Sequence, residues 1–130
     1  MNSRDKGKRG ESELAKLLSE LTGFDVRRRV RQYAGDSDLE GLPAWSVECK
    51  RHGNPSPAFV WGVFWPQAVA QAQASNALPL LAYRADRGLW TFVWPSDLHT
   101  GVQPIRTDYP HVLLAPPETW WAMTRHLTTH

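Results

Sequence analysis

The 130-residue sequence predicts an α/β domain with a central mixed sheet flanked by helices, in the order αβββαββ(β)α. Three observations predict it. Leu14, Leu17, Leu18 and Leu21 recur at the i, i+3, i+4, i+7 spacing of one helical stripe. Residues 24–33 and 44–51 alternate with the period of two that belongs to strands. A Gln/Ala-rich run after Pro66 is followed by two short apolar segments. Helices interleaved with strands in this way bury a sheet between helical layers.

The first helix is expected over 9–22, with Gly23 as its stop. Glu11 stands three residues before Leu14 and seven before Leu18, so a carboxylate heads the buried stripe, while Glu13 and Glu20 lie away from it. From Phe24 to Tyr33 the alternation puts Phe24, Val26, Arg28 and Val30 on one face and Asp25, Arg27, Arg29 and Arg31 on the other. Residues 34–43 carry turn formers. In the strand 44–51, Trp45, Val47 and Cys49 share one face, and Ser46, Glu48 and Lys50 the other. Two prolines in Asn54-Pro55-Ser56-Pro57 mark a loop, and a helix is expected from Trp65 to Asn76, with Pro66 in its first turn. Strands at 78–83 and 89–94 are joined by a hairpin turn at 84–88. The segment 95–109 has no clear pattern, 111–115 reads as a last strand and 117–127 as a closing helix.

The length suits one domain spanning 1–130. With 42% hydrophobic and 22% charged residues the chain is expected to fold rather than stay disordered. No apolar run approaches the roughly 20 residues that cross a bilayer, and the basic N-terminus lacks the apolar stretch of a secretory signal. Cys49 is the single cysteine, which excludes an internal disulfide and fits a reducing, cytoplasmic setting. The net charge of +2 is unevenly spread: residues 1–31 carry nine Lys/Arg against five Asp/Glu. A basic N-terminal third points to a polyanion, because cations that neutralise phosphates release condensed counterions. A solvated basic face is the plainer alternative.

The chemistry concentrates in Asp38 and, ten residues on, Glu48-Cys49-Lys50. A turn at 40–43 can fold the chain so that Asp38 approaches Glu48 at about the 5 Å interstrand spacing. Two carboxylates that close repel unless a cation sits between them. Oxygen ligands suit Mg²⁺ or Mn²⁺, and neither imidazoles nor paired thiolates are offered for zinc. Lys50 beside them supplies positive charge for an attacking water or a phosphate oxygen. A solvated Glu48–Lys50 pair worth under about 1 kcal/mol is the bland reading, but it leaves Glu11 on the leucine stripe unexplained.

These residues resemble the PD-(D/E)XK nuclease superfamily, and within it the small Holliday-junction-resolvase-like endonucleases of archaea and phages. The likeness spans some two thirds of the chain, from about Gly7 to Trp90. It rests on Lys-Gly-Lys-Arg-Gly-Glu-Ser-Glu at 6–13, Gly-Asp-Ser-Asp-Leu-Glu-Gly at 35–41, and Val-Glu-Cys-Lys-Arg at 47–51. Trp-Pro-Gln-Ala at 65–68 and Pro-Leu-Leu-Ala-Tyr-Arg at 79–84 extend it. The resemblance implies a restriction-endonuclease-like fold and hydrolysis of DNA phosphodiesters with Mg²⁺ or Mn²⁺. It further implies metal binding by Asp38, Glu48 and the Cys49 carbonyl, assistance from Glu11, Lys50 beside the nucleophilic water, and Gln67 near the site. Ser37 stands where the family name has proline, Asp36 is an alternative to Asp38, and Gln71 is an alternative to Gln67.

Lys6, Lys8, Arg9, Arg27, Arg29, Arg31 and Arg51 are the expected phosphate contacts, with Arg28 in the same run. A homodimer is expected, since symmetric cleavage of branched DNA needs two sites about a twofold axis. Nicking, repair or restriction-like cleavage is the nearest alternative, and a DNA-binding module without turnover the more distant one. Of the seven tryptophans most are expected in the core, while Trp61, Phe64 and Trp65 beside a loop could pack a dimer or wedge into DNA. The histidines lack metal-ligand spacing, and Cys49 is expected as a small apolar residue rather than a nucleophile.

Overall fold

The computed structural model describes residues 3–30, 37–51, 53, 55–99 and 109–128, the side chains of 3–6 excepted. Helix α1 spans Ser3–Thr22. Two short strands, β1 (Arg27–Arg28) and β2 (Leu39–Glu40), pair antiparallel, Arg27 opposite Glu40 and Arg28 opposite Leu39. The main sheet has the order β3-β4-β5-β6, formed by Trp45–Arg51, Leu78–Arg84, Thr91–Pro95 and Val112–Ala115. β3 and β4 run parallel, and the other neighbours antiparallel. The parallel crossover contains α2 (Pro57–Phe59), a π-helical turn Val60–Phe64, and α3 (Trp65–Ala74). Helix α4, Pro117–Thr124, closes the chain's described part with a 3₁₀ turn, Arg125–Leu127.

The sheet is covered on both faces. Leu14 and Leu18 of α1, Trp45 and Val47 of β3, Leu80, Phe92 and Trp94 form the core on one side with Trp120 of α4. Val60, Phe64, Trp65, Ala68 and Val69 of the crossover pack on Leu81 and Val93 on the other. The chain is thus the mixed α/β fold that the alternation of elements predicts.

Several local expectations are corrected. Of the ten-residue strand expected over 24–33, residues 24–30 are described and form strand only at Arg27–Arg28, while 31–33 lie outside the described residues. Ser19 explains the shortening: its hydroxyl donates to the Ala15 carbonyl at 2.9 Å and accepts the Val26 N–H at 3.0 Å, which makes a corner where a ladder would otherwise start. Val30, which alternation puts on one face with Phe24 and Val26, is 78% exposed. The turn after β2 does bring Asp38 to β3, as its spacing from Glu48 suggests: the Asp38 N–H donates to the Val47 carbonyl at 3.1 Å. The crossover is helical from Pro57, capped by Ser56 Oγ accepting the Phe59 N–H at 3.2 Å, so Trp61 and Phe64 lie in the helical turn that directly follows the 54–57 loop. The strand expected from Leu89 starts at Thr91.

Two glycines hold the frame. Gly23 (φ +83°) ends α1, its N–H bonded to the Ser19 carbonyl at 3.0 Å, as a left-handed C-terminal cap requires. Gly41 (φ +98°) makes the turn from β2 to β3 so close to β1 that a β-carbon there would lie 2.2 Å from the Asp25 carbonyl oxygen.

Candidate active site at the edge of strand β3

Val47 and Cys49 face α1, so Glu48 and Lys50 project toward the crossover helices. Glu48 is buried at 6% exposure, because those helices cover a face that strand periodicity alone leaves open. Its Oε1 lies 3.3 Å from Lys50 Nζ, and that ammonium stands 5.8 Å from the centre of the Phe64 ring. Among the described residues, Glu48 Oε2 is buried without a hydrogen-bond partner.

Asp38 reaches this place along the free edge of β3. Its carbonyl accepts the Arg29 N–H at 3.0 Å, its N–H donates to Val47, and its Oδ2 accepts the Cys49 N–H at 2.8 Å. In an extended strand the N–H and C=O of one residue point to the same edge. The Cys49 carbonyl therefore faces the side where Asp38 lies. Ser37 braces the approach: its hydroxyl donates to the Leu39 carbonyl at 2.8 Å, and its carbonyl accepts Arg29 Nε at 3.1 Å.

Electrostatics gather further residues. The Glu11 carboxyl is pushed up to about 7, first by burial and then by Asp38, against the pull of Arg28, Lys50 and Lys8. Glu48 is also raised, to about 7, by burial and Asp38, with Lys50 opposing. Burial and the neighbouring Asp38 hold the Cys49 thiol well above its ordinary value, which removes it as a nucleophile near neutral pH. Three carboxylates and three cations thus share one corner between α1, β1–β2 and β3. Two of the three acids resist ionisation there.

An added cation would relieve that resistance, and the unpartnered Glu48 oxygen offers it a ligand. No group of three His, Cys, Asp or Glu side chains among the described residues is gathered closely enough to hold a metal ion. A cation here would rest on two carboxylates together with main-chain and water oxygens, a donor set that suits Mg²⁺.

The other expected site residues are placed as follows. Gln67 is exposed on α3, whereas Gln71, one turn on, is half-buried. Lys8 and Arg9 are exposed on α1. Arg27 is paired with Asp25 at 2.6 Å, and Arg29 with Glu40 at 3.4 Å. Arg51 is ion-paired with Glu13 at 3.3 Å and lies 4.0 Å from Asp86. Arg31, Asp36 and the Lys6 side chain lie outside the described residues. Of the aromatic trio, Phe64 and Trp65 are buried, and Trp61 is 47% exposed. Arg28 is the residue that sequence reasoning left out of the site. Its signal was present, since it is a charge on the apolar face of its segment, beside Val26, just as Glu11 is on the leucine stripe.

A family model described as "Phage putative PDDEXK endonuclease" matches residues 2–111 of the chain. No curated protein matches it. Among solved structures, Hjc, a Holliday junction resolvase from the archaeal hyperthermophile Archaeoglobus fulgidus, is matched at 20% identity. That match covers 82% of this chain and 94% of that one, with a TM-score of 0.46.

Proposed function

We propose, on the premise that the chain belongs to the phage PDDEXK endonuclease family, that it cuts DNA with a divalent metal through Asp38, Glu48 and Lys50. The observation that carries this reading is the buried Glu48 carboxylate, one oxygen unpartnered among the described residues and the other 3.3 Å from Lys50 Nζ. Pure DNA binding gains nothing from a carboxylate held against its own ionisation beside Asp38.

Asp38, Glu48 and the Cys49 carbonyl would hold Mg²⁺ or Mn²⁺, with Glu11 reaching it through water. When bound, such an ion polarises the phosphodiester and makes water a better nucleophile at neutral pH. Lys50, steadied between Glu48 and the Phe64 ring, offers its ammonium to the negative charge that builds on phosphate oxygens. In the hydrolysis a water oxygen bonds to phosphorus and gives up one proton, one P–O ester bond breaks, and the leaving alkoxide takes up one proton, so the protons balance. Gln71 or Gln67 of α3 orients groups at the margin. Lys6, Lys8 and Arg9 on α1, with Arg27, Arg29 and Arg31, grip the flanking phosphates. The substrate is branched DNA, cut by two copies about a twofold axis, and the enzyme works on DNA inside the cell. The sequence motifs support that finer reading.

The test is purified protein on labelled four-way junction, flap, single-stranded and linear duplex DNA, each with Mg²⁺, Mn²⁺ or EDTA. Metal-dependent cuts, fastest and paired on the junction, are expected. Faster cutting of flap or linear duplex would make it a nicking, repair or restriction-like enzyme. Cleavage undiminished by EDTA, or binding without any cut, overturns the reading.

A further inference from the structure

Next to the site lies a charge cluster that the hydrolytic reading does not use. Arg51 and Arg84 are direct neighbours in the parallel ladder of β3 and β4, both on the α1 face. Two guanidinium groups on strands about 4.8 Å apart repel unless an anion joins them. Glu13 is that anion: Oε1 lies 3.3 Å from Arg51 and Oε2 lies 3.6 Å from Arg84. Asp86 in the β4–β5 turn stands 4.0 Å from Arg51 Nε, and Arg84 lies over the Trp90 ring at 5.7 Å. The side chains of Arg51 and Arg84 are only 15% and 20% exposed. Next to this cluster α1 touches β3 closely, since a β-carbon on Gly10 would lie 3.3 Å from Arg51 Cβ and 3.7 Å from Cys49 Sγ.

We infer that Glu13, Arg51 and Arg84 form a positioning clamp that holds α1 on the sheet and so presents Glu11 to Asp38 and Glu48. The inference rests on the reading of Asp38 and Glu48 as the hydrolytic pair. It moves Arg51 from the expected phosphate contacts to a structural partner of the site. Glu11 lies between Gly10, which touches β3, and Glu13, which the two arginines hold. Arg51 directly follows Lys50, so the same clamp fixes the end of β3 that carries the ammonium. Helix α1 can then neither roll nor slide without breaking an ion pair. A guanidinium buried against two carboxylates is also poorly placed to reach a phosphate.

The test compares Glu13→Gln, Glu13→Asp, Arg51→Gln and the double variant Glu13→Gln/Arg51→Gln with the parent. Each is assayed for kcat and KM on DNA, for Mg²⁺ affinity by calorimetry, for the salt dependence of DNA binding, and for melting temperature. Glu13→Gln and Arg51→Gln should each lower kcat and weaken Mg²⁺ binding by about tenfold, as loss of outer partners of a metal site does. KM should hold, Glu13→Asp should recover most of the loss, and the double variant should be little worse than either single one. The salt slope should stay at the parental value. A slope lower by about 0.9 in Arg51→Gln would make it a phosphate contact and overturn the clamp. A drop in melting temperature with kcat and Mg²⁺ affinity unchanged, measured well below melting, overturns it too. Glu48→Gln run in parallel separates the two readings. If that variant still cuts, the hydrolytic assignment fails; if it is dead while the clamp variants are parental, only the clamp fails.

Discussion

The carboxylate of Asp38 accepts the main-chain N–H of Cys49 at 2.8 Å, tying the start of β2 to the free edge of β3. One consequence is local: an edge strand that would present bare N–H and C=O groups is covered by its own chain. The other concerns chemistry. The bond holds the Asp38 charge next to Glu48 although burial and mutual repulsion favour neutrality there. Beyond Lys50, a further cation would stabilise such an arrangement.

Asp38→Asn and Glu48→Gln should reduce cleavage by at least about a hundredfold while leaving DNA affinity within about twofold, as expected when charge stabilisation is removed at the reacting centre. Asp38→Ala should in addition lose about 1–2 kcal/mol of stability, because the Cys49 N–H loses its partner. Initial rates with Mg²⁺, gel-shift affinities and urea denaturation check the three outcomes. Parental rates in both isosteric variants would remove these residues from catalysis.

The raised carboxyls set a pH dependence of known sign. Glu11 and Glu48 move from 4.5 in the open chain to about 7 in the folded protein, so the folded state binds more protons across that window. Their contribution to stability is complete below the unfolded value and is lost as pH rises through about 7. The metal-free protein should therefore melt several degrees lower at pH 8 than at pH 5, relative to a Glu11→Gln/Glu48→Gln variant. Mg²⁺ should restore the difference at pH 8. Glu11→Gln alone should raise the Mg²⁺ requirement for cleavage without destabilising the fold. Melting curves that rise in parallel for parent and variant, with and without Mg²⁺, would contradict this account.

Gly41→Ala should be among the costlier single substitutions outside the core. A left-handed backbone at φ +98° and a β-carbon 2.2 Å from the Asp25 carbonyl both oppose it. A loss of at least about 2 kcal/mol in urea denaturation is expected, since strain and a backbone clash act together. Activity should fall beyond what partial unfolding explains, because Asp38 directly precedes the strand that this turn anchors.

The basic run should act on DNA in two ways. Arg27, Arg29 and Arg31 as phosphate contacts predict that the triple Arg→Gln variant lowers the slope of log K against log salt by two to three units, at about 0.9 per contact. The exposed Arg27–Asp25 pair is no obstacle, since such pairs are weak and exchange readily for phosphate. Arg28→Gln should instead slow cleavage more than it weakens binding, because the Arg28 charge acts on the Glu11 carboxyl. An unchanged slope in the triple variant would send DNA to another side, past Trp61.

Periodicity in the sequence determined most of the elements. The leucine stripe sets the buried face of α1, and the alternation in 44–51 puts Glu48 and Lys50 together, opposite Cys49. Glu11 stood out in the sequence because it breaks the leucine stripe, and Asp38 because it stands ten residues before Glu48 at the far side of a turn. The tertiary structure alone decided which partner each charge received. It put a corner at Ser19 where the strand expected from Phe24 would start, and it bonded Asp38 to the edge of β3. It buried Glu48 under the crossover helices, brought the Arg28 charge to bear on Glu11, and joined Arg51 to Glu13 rather than leaving it for phosphate. Spacing along the chain fixes which way a side chain leaves its own strand or helix. What packs against that face comes from residues distant in sequence, and burial, ion pairing and carboxyl ionisation all depend on it.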